Sequence, residues 1–353
     1  MQNNSFLLYG AYGYTGELIA RYAAQYNLYP ILAGRREAAL QPLATRLNLP
    51  YKVIDLDDTP TLLAALREVP VVVHAAGPYD YTAKQMVEAC LQTGTHYLDL
   101  NGDLAIYEML HRYDAAAKQA NVMLLPGAGF DVVPTDCLAL FLKQRLPDAV
   151  RLELAFTILG STLSHGTAVN SVLKMGEPGA VRKNGAIVSE PLGKKGKWID
   201  FGVKRLFVMS LPWGDIASAY YTTGIPDIRS YTSVPQAAYW LLKFQFLFNG
   251  LLRTSWLRNF VKKQVARRPP GPDDEMRRKS ISIIWGQATN ANGQTATARL
   301  RTPEAYDLTA YAVLHITRKI LEGQYTTGYQ TPAGAYGPDL VMELPAVQRE
   351  ILQ

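Results

Sequence analysis

Short apolar runs separated by helix-length stretches set the rhythm of the first 130 residues. Ser5–Tyr9, Ile31–Ala33, Tyr51–Ile54, Val71–His74, Tyr97–Leu98 and Val122–Leu125 lack the polar alternation of a half-exposed sheet. Strands of this kind are buried on both faces. Their alternation with helices predicts an α/β fold with a Rossmann-type doubly wound parallel sheet. Thr59 as a cap before Pro60, and Val133 before Pro134, provide two of the helix starts.

Beyond residue 150 the pattern changes. Val150–Phe156 alternates in and out, and two alternating runs between Ser280 and Leu300 flank Asn292 and Gly293, a hairpin-turn pair. They predict a half-exposed antiparallel sheet in a second, inserted α+β domain. A helix from about Pro303 to Leu321 should follow, capped by Thr302 and ended near Gly323. Arg267–Lys279, where Pro269, Pro270, Gly271 and Pro272 precede charge blocks, reads as a mobile loop. The expected division is residues 1–130 as a dinucleotide-binding domain completed by 324–353, and residues 131–323 as a substrate and oligomerisation domain.

Composition narrows the class without changing this picture. With 353 residues, 48% of them hydrophobic and 19% charged, the chain can bury a sizeable core and is neither a disordered tail nor a fibrous repeat. Cys90 and Cys137 are too few for a cysteine metal cage or a redox dithiol motif. No leader-like pattern opens the chain, so a cytoplasmic protein is expected. The five histidines show no i, i+4 metal pair, His111 and His315 read as helix-surface residues, and no metal is expected. Charge is uneven: residues 1–150 carry 11 basic and 15 acidic side chains, residues 151–353 carry 25 and 15. No nucleic-acid-binding signature accompanies the basic excess, so nucleic acid is not an expected partner.

The candidate chemistry begins at Gly10, Gly13 and Gly16, which follow the first strand and open the first helix. Glycines there permit a tight turn, close approach of backbone to a pyrophosphate, and packing of helix on strand; the helix N-terminal amides then face the phosphates. Tyr12, Tyr14 and Thr15 share that loop. The second strand ends in Arg35 and Arg36, where an NAD site usually has an acid, and guanidinium forks suit a 2′-phosphate. The cofactor expected is therefore NADP(H). Asp55 is placed either to meet the adenine amino group or to cap the turn at Asp57–Thr61. Ala76, Gly77 and Pro78 would pass beneath the riboses, and Tyr79 would either supply a proton near the nicotinamide or pack.

Gly10–Gly16, Ala33–Arg36, Ala75–Tyr79, His96–Asp99 with Gly102 and Asp103, and Pro126–Asp136 together resemble the saccharopine dehydrogenase-like oxidoreductases. The resemblance continues through His165–Thr167, Pro212–Asp215, Thr223–Pro226 and Thr331–Ala333, nearly the whole chain in order. Within the family it is nearest the saccharopine dehydrogenase-like oxidoreductases and the trans-acting enoyl reductases of bacterial lipid synthesis. It implies a Rossmann domain completed by C-terminal segments and an inserted substrate domain. Phe130, His165, Trp213 and Asp215 are candidates for a substrate pocket, though starting a helix explains His165 and locking a strand end explains Trp213 and Asp215. Asp131 is a candidate catalytic carboxylate, though capping a helix explains it too. The reading is an NADP(H)-dependent oxidoreductase acting on a small-molecule, apolar or lipid-linked enoyl, carbonyl or imine substrate. The alternatives are an amino-acid-linked reductase resembling saccharopine reductase and a non-catalytic cofactor-binding module.

Residues 237–268 remain apart from this scheme. They hold Tyr239, Trp240, Phe244, Phe246, Phe248, Trp256 and Phe260 among basic residues, and Lys243 and Arg253 interrupt any spanning stretch. A helix, or two broken near Gly250, is expected. Burial in a homodimer or domain interface, peripheral contact with the inner membrane face, and a lid over an apolar substrate all suit that pattern.

Overall fold

The computed structural model describes residues 4–174 and 176–352, with the side chains of Leu241, Phe246 and Leu251 outside the described residues. The chain divides into two units, one of Met1–Val133 and Tyr306–Tyr336, the other of Pro134–Ala305 and Gly337–Gln353. The strands in chain order are β1 (Ser5–Tyr9), β2 (Tyr29–Gly34), β3 (Tyr51–Val53), β4 (Val71–His74), β5 (His96–Asp99), β6 (Met123–Leu125), β7 (Ala149–Leu159) and β8 (Gly179–Lys183). There follow β9 (Ala186–Glu190), β10 (Gly196–Asp200), β11 (Arg205–Leu211), β12 (Asp227–Ser233), β13 (Ile281–Asn290), β14 (Thr295–Thr302), β15 (Gly328–Tyr329) and β16 (Gln348–Ile351).

In the first unit the order is β15-β6-β5-β4-β1-β2-β3, and every pair is parallel. This is the doubly wound Rossmann arrangement, and strand order reverses between β1 and β4, the place where such sheets take ligands. Phe6, Leu7 and Leu8 in β1 and Val71, Val72 and Val73 in β4 are fully buried, which is why their runs carry no polar alternation. The returning segment is 306–336: it includes 324–336 of the expected 324–353, while Gly337–Gln353 belongs to the second unit. Helix Ala305–Leu321 stays with the first unit because its side chains pack there. Tyr306 meets Tyr14 edge-on at 5.0 Å, and Tyr311 stacks on Tyr22 at 5.4 Å. His315 is buried on this helix, contrary to the surface position expected, whereas His111 is exposed.

Local chemistry moves two helix starts. Asp58, not Thr59, caps helix Thr59–Leu66, because its carboxylate accepts from both the amide and the hydroxyl of Thr61, at 3.3 and 2.6 Å. Thr302 ends β14 instead of capping a helix. Its hydroxyl donates to the Pro303 carbonyl at 2.9 Å, and the helix begins at Ala305.

The second unit is built on a nine-stranded sheet running β10-β11-β12-β7-β13-β14-β16, with β8 on β12 and β9 on β8. β7 and β12 pair in parallel, so the sheet is mixed where an antiparallel one was expected. The long chain between them, with its own helices and hairpins, supplies the crossover that parallel pairing needs. Ala155, Ile199, Phe201, Val208, Tyr231, Ile283 and Trp285 form a buried cluster on this sheet. The β13–β14 hairpin closes as expected: the Asn290 side-chain oxygen accepts the amides of Asn292 and Gln294 at 3.1 and 2.9 Å, and Gly293 takes φ +81°.

Arg267–Lys279 is not a bare loop. Helix Asp274–Lys279 is capped by Asp273, which accepts from the Met276 amide at 2.7 Å, and Arg277 is buried against the Pro272 carbonyl and Asp274. Residues 237–268 form helices Gln236–Lys243, Asn249–Leu252 and Ser255–Val265 with a 3-10 turn at Gln245–Leu247. The breaks fall at the turn and at Thr254, not at Gly250.

Candidate active site

Gly10 takes φ +87° at the end of β1, and a Cβ there would stand 2.7 Å from the Ala75 carbonyl carbon after β4. A Cβ on Gly16 would stand 2.3 Å from the Gly10 carbonyl oxygen. Both glycines are therefore demanded by the chain's own backbone. Gly13 is not: its φ is −73°, and the one atom near a Cβ is the Gly10 oxygen at 3.2 Å. Gly13 stands at the N-cap of helix Tyr14–Tyr22 and offers no capping side chain. The first-turn amides of such a helix have no intrahelical acceptor, and they carry the positive end of its dipole. The turn thus forms an anion cradle, closed at Gly10 and Gly16 and open at Gly13. Thr15 is half-buried in its first turn.

At the end of β2 a Cβ on Gly34 would strike the Tyr12 ring at 2.6 Å, so the ring lies against that glycine. The Arg36 guanidinium sits 4.7 Å from the centre of the same ring. Arg35 and Arg36 are both exposed, within reach of an anion. Asp55 is exposed, and its carboxylate accepts from the Asp57 amide at 3.2 Å, the turn-capping role among its expected alternatives.

The ends of β4, β5 and β6 gather titratable groups. The Thr82 hydroxyl donates to the Ala76 carbonyl at 2.9 Å, which leaves Nε2 of buried His74 to donate to Thr82 Oγ1 at 2.9 Å. Burial holds His74 neutral, with its ionisation lowered to about 3. The Tyr79 hydroxyl donates to the His74 carbonyl at 3.2 Å, and burial raises it well above the usual phenol value. It is a neutral phenol tied to backbone. Gly77 and Pro78 lie between these groups, with the Pro78 carbonyl taking the Tyr81 amide at 3.2 Å.

Asp99, not singled out beforehand as a site residue, is fully buried at the end of β5. It accepts from the Tyr97 hydroxyl at 2.8 Å, the Asn101 amide and side chain at 3.1 and 2.7 Å, and the Gly127 amide at 2.8 Å. Burial outweighs those donors and raises its carboxyl to about 6. The available signal was an acid closing an apolar strand. Gly102 leaves room for Asp131 (a Cβ there would meet its Oδ2 at 2.9 Å), and burial raises the Asp131 carboxyl to about 7. Asp99 and Asp131 both act electrostatically on Tyr79, so the three groups form one cluster.

The four proposed pocket residues fall in both units. Phe130 is buried in the first, its amide donating to Thr309 Oγ1 at 3.0 Å. In the second, His165 starts helix His165–Leu173, and its Nε2 donates to the Arg268 carbonyl at 2.6 Å. Trp213 packs on Phe156 at 5.2 Å. Asp215 is buried and accepts from the hydroxyls of Thr135 and Ser230, at 2.5 and 3.2 Å. His165 and Asp215 each have a structural task that accounts for them.

Residues 6–125 match the saccharopine dehydrogenase NADP binding domain. The chain is similar to the saccharopine dehydrogenase-like oxidoreductase of Mus musculus, 23% identical over 50% of this chain and 47% of that protein. It is also similar to the trans-acting enoyl reductase of Mycobacterium leprae (34% identical over 43% of this chain and 38% of that protein). A lipid droplet localized protein of Caenorhabditis elegans is 27% identical over 55% of this chain and 50% of its own length. The matched stretches thus span about half or less of these relatives. Saccharopine dehydrogenase (L-Glu forming) from Saccharomyces cerevisiae shares the fold, with TM-score 0.70, 14% identity and coverage of 99% of this chain and 100% of that one.

Proposed function

We propose, from an NADP-binding unit of the saccharopine dehydrogenase type, that this chain is an NADPH-dependent reductase of an apolar, lipid-linked enoyl or carbonyl compound, with Asp131 as its proton donor. The open cradle at Gly13 fits the pyrophosphate, and Arg35 and Arg36 fit a 2′-phosphate. NADPH bound there supplies the hydride. The chain's own task is then to bind the cofactor at those donors, to hold the acceptor double bond, and to deliver one proton to the atom that gains negative charge. Asp131 suits that task because a carboxyl at about 7 is substantially protonated at neutral pH and can also give its proton up. Tyr79 suits it less, being a phenol held on the His74 carbonyl. A positioning role for Tyr79 fits better.

The observation that carries this reading is the raised carboxyl of Asp131 in a cluster at the carboxyl ends of β4, β5 and β6. The lipid-linked substrate rests on similarity to the trans-acting enoyl reductase and the lipid droplet localized protein. The test is loss of NADPH absorbance with a panel of long-chain enoyl thioesters, long-chain ketones and amino acid–aldehyde pairs. Turnover of the first or second class, abolished in Asp131→Asn with NADPH binding intact, is the expected result. Turnover of the amino acid pairs alone would assign the chain to amino-acid-linked reduction, and cofactor binding with no turnover would make it a binding module.

A further inference from the structure

The second unit carries an aromatic, basic surface that the reductase reading does not use. Trp240, Phe244, Leu247, Phe248, Trp256 and Phe260 are between 46% and 70% exposed. Trp240 stacks on Phe244, and Trp256 on Phe260, each pair at 6.3 Å with rings near parallel. These side chains are presented by anchored helices. Tyr239 is buried on the Phe207 ring at 4.9 Å, Gln245 donates to the Glu177 carbonyl at 3.4 Å, and Arg253 donates to the Gly176 carbonyl at 3.0 Å. Val265 is buried on the underside of helix Ser255–Val265. The aromatic face therefore points outward by construction.

Its charge is one-sided. Residues 237–268 contain seven Lys or Arg and no Asp or Glu, and no acid occurs between Asp227 and Asp273. On helix Ser255–Val265, Trp256, Phe260 and Lys263 recur at helical spacing along one face, and Arg267 continues that line past the helix end. Lys243 lies 5.4 and 5.0 Å from the Tyr239 and Trp240 rings. Aromatic side chains beside cations match the layered chemistry of a bilayer surface, with acyl boundary below and phosphate headgroups above. A second copy of this chain fits badly, since a two-fold contact would set these cations against their own equivalents. Among the described residues no helix is long and apolar enough to cross a membrane.

We infer that this face, residues 237–268, docks peripherally on an anionic phospholipid surface, with Trp240, Phe244, Trp256 and Phe260 entering the acyl boundary and Lys263 and Arg267 meeting headgroups. Docking needs neither cofactor nor turnover, so its failure would leave the reductase reading standing. The test is co-sedimentation of the full chain with phosphatidylcholine vesicles and with mixed phosphatidylcholine–phosphatidylserine vesicles, at low and high salt. Binding to the mixed vesicles that weakens with salt is expected. Lys263→Gln with Arg267→Gln should weaken it about thirtyfold. Trp256→Ser with Phe260→Ser should abolish it while thermal unfolding is unchanged, because these side chains are exposed. Three results would overturn the inference: a chain that stays in the supernatant with both vesicles, sedimentation indifferent to both double variants, or a dimer in light scattering that the same variants dissociate.

Discussion

Gly13→Ala separates a glycine kept for a ligand from glycines kept for the fold. A methyl at residue 13 meets the Gly10 carbonyl oxygen at 3.2 Å and nothing else close, and φ of −73° is one that alanine adopts freely. The change from glycine to alanine at an N-cap position costs below about 1 kcal/mol. At about 2–4 °C per kcal/mol for a domain of this size, the midpoint of the apo chain should fall by no more than a few degrees. Cofactor binding should respond very differently. A methyl standing where the pyrophosphate must approach would cost at least two charge-assisted hydrogen bonds at about 1.5–3 kcal/mol each, so NADPH affinity should drop more than about a hundredfold. Calorimetric titration reads that loss directly. Gly16→Ala is the control: its methyl would stand 2.3 Å from a backbone oxygen, and the apo chain should lose stability outright. If Gly13→Ala bound NADPH within about threefold of the parent, the cradle reasoning would be wrong.

Arg36→Ala removes a guanidinium held over Tyr12 and should weaken NADPH about tenfold or more with little effect on NADH, both read by calorimetry. Asp131→Asn should stabilise the apo chain more at pH 8 than at pH 5. The folded carboxyl titrates at about 7, against 3.8 when free, so the parent loses stability as pH rises between those values. The gain is on the order of a few kcal/mol, and a shift in melting midpoint that is the same at both pH values would contradict it. Asp215→Ala strands the Thr135 and Ser230 hydroxyls and should cost about 2–4 kcal/mol in denaturant unfolding. Unchanged stability would return Asp215 to the pocket.

Much of the first unit could be read from the sequence because burial on both faces strips a strand of polar residues. Val71–His74 has no competing interpretation between Pro70 and the small residues that follow. The errors came where two local signals competed. Beside Asp58 a neutral hydroxyl at Thr59 is the weaker acceptor, so the cap moved by one residue. In Arg267–Lys279 the prolines and Gly271 ahead of the charge blocks suggest a mobile loop. Yet acids at Asp273, Asp274 and Glu275 followed by Arg277, Arg278 and Lys279 is the order that a helix dipole favours. The parallel pairing of β7 with β12 had no local signature, because nothing in either strand encodes which neighbour closes on it.

The glycine loop and the arginines after β2 were open to the same reading because their chemistry depends on backbone geometry and sequence spacing. The carboxyls were not. Asp99 and Asp131 look alike as residues, and how far burial raises each carboxyl is set by the fold. Asp99 accepts four hydrogen bonds, from Tyr97, Asn101 and Gly127, that tie the ends of β5 and β6, so removing its charge would loosen the sheet itself. Asp131 is raised further, to about 7 against about 6, and burial is what raises it. A carboxyl whose neutral form burial already favours is less disturbed by an uncharged amide of the same shape. On the proposed mechanism, Asp131→Asn is the substitution expected to stop proton delivery while the unit that binds the cofactor stays folded.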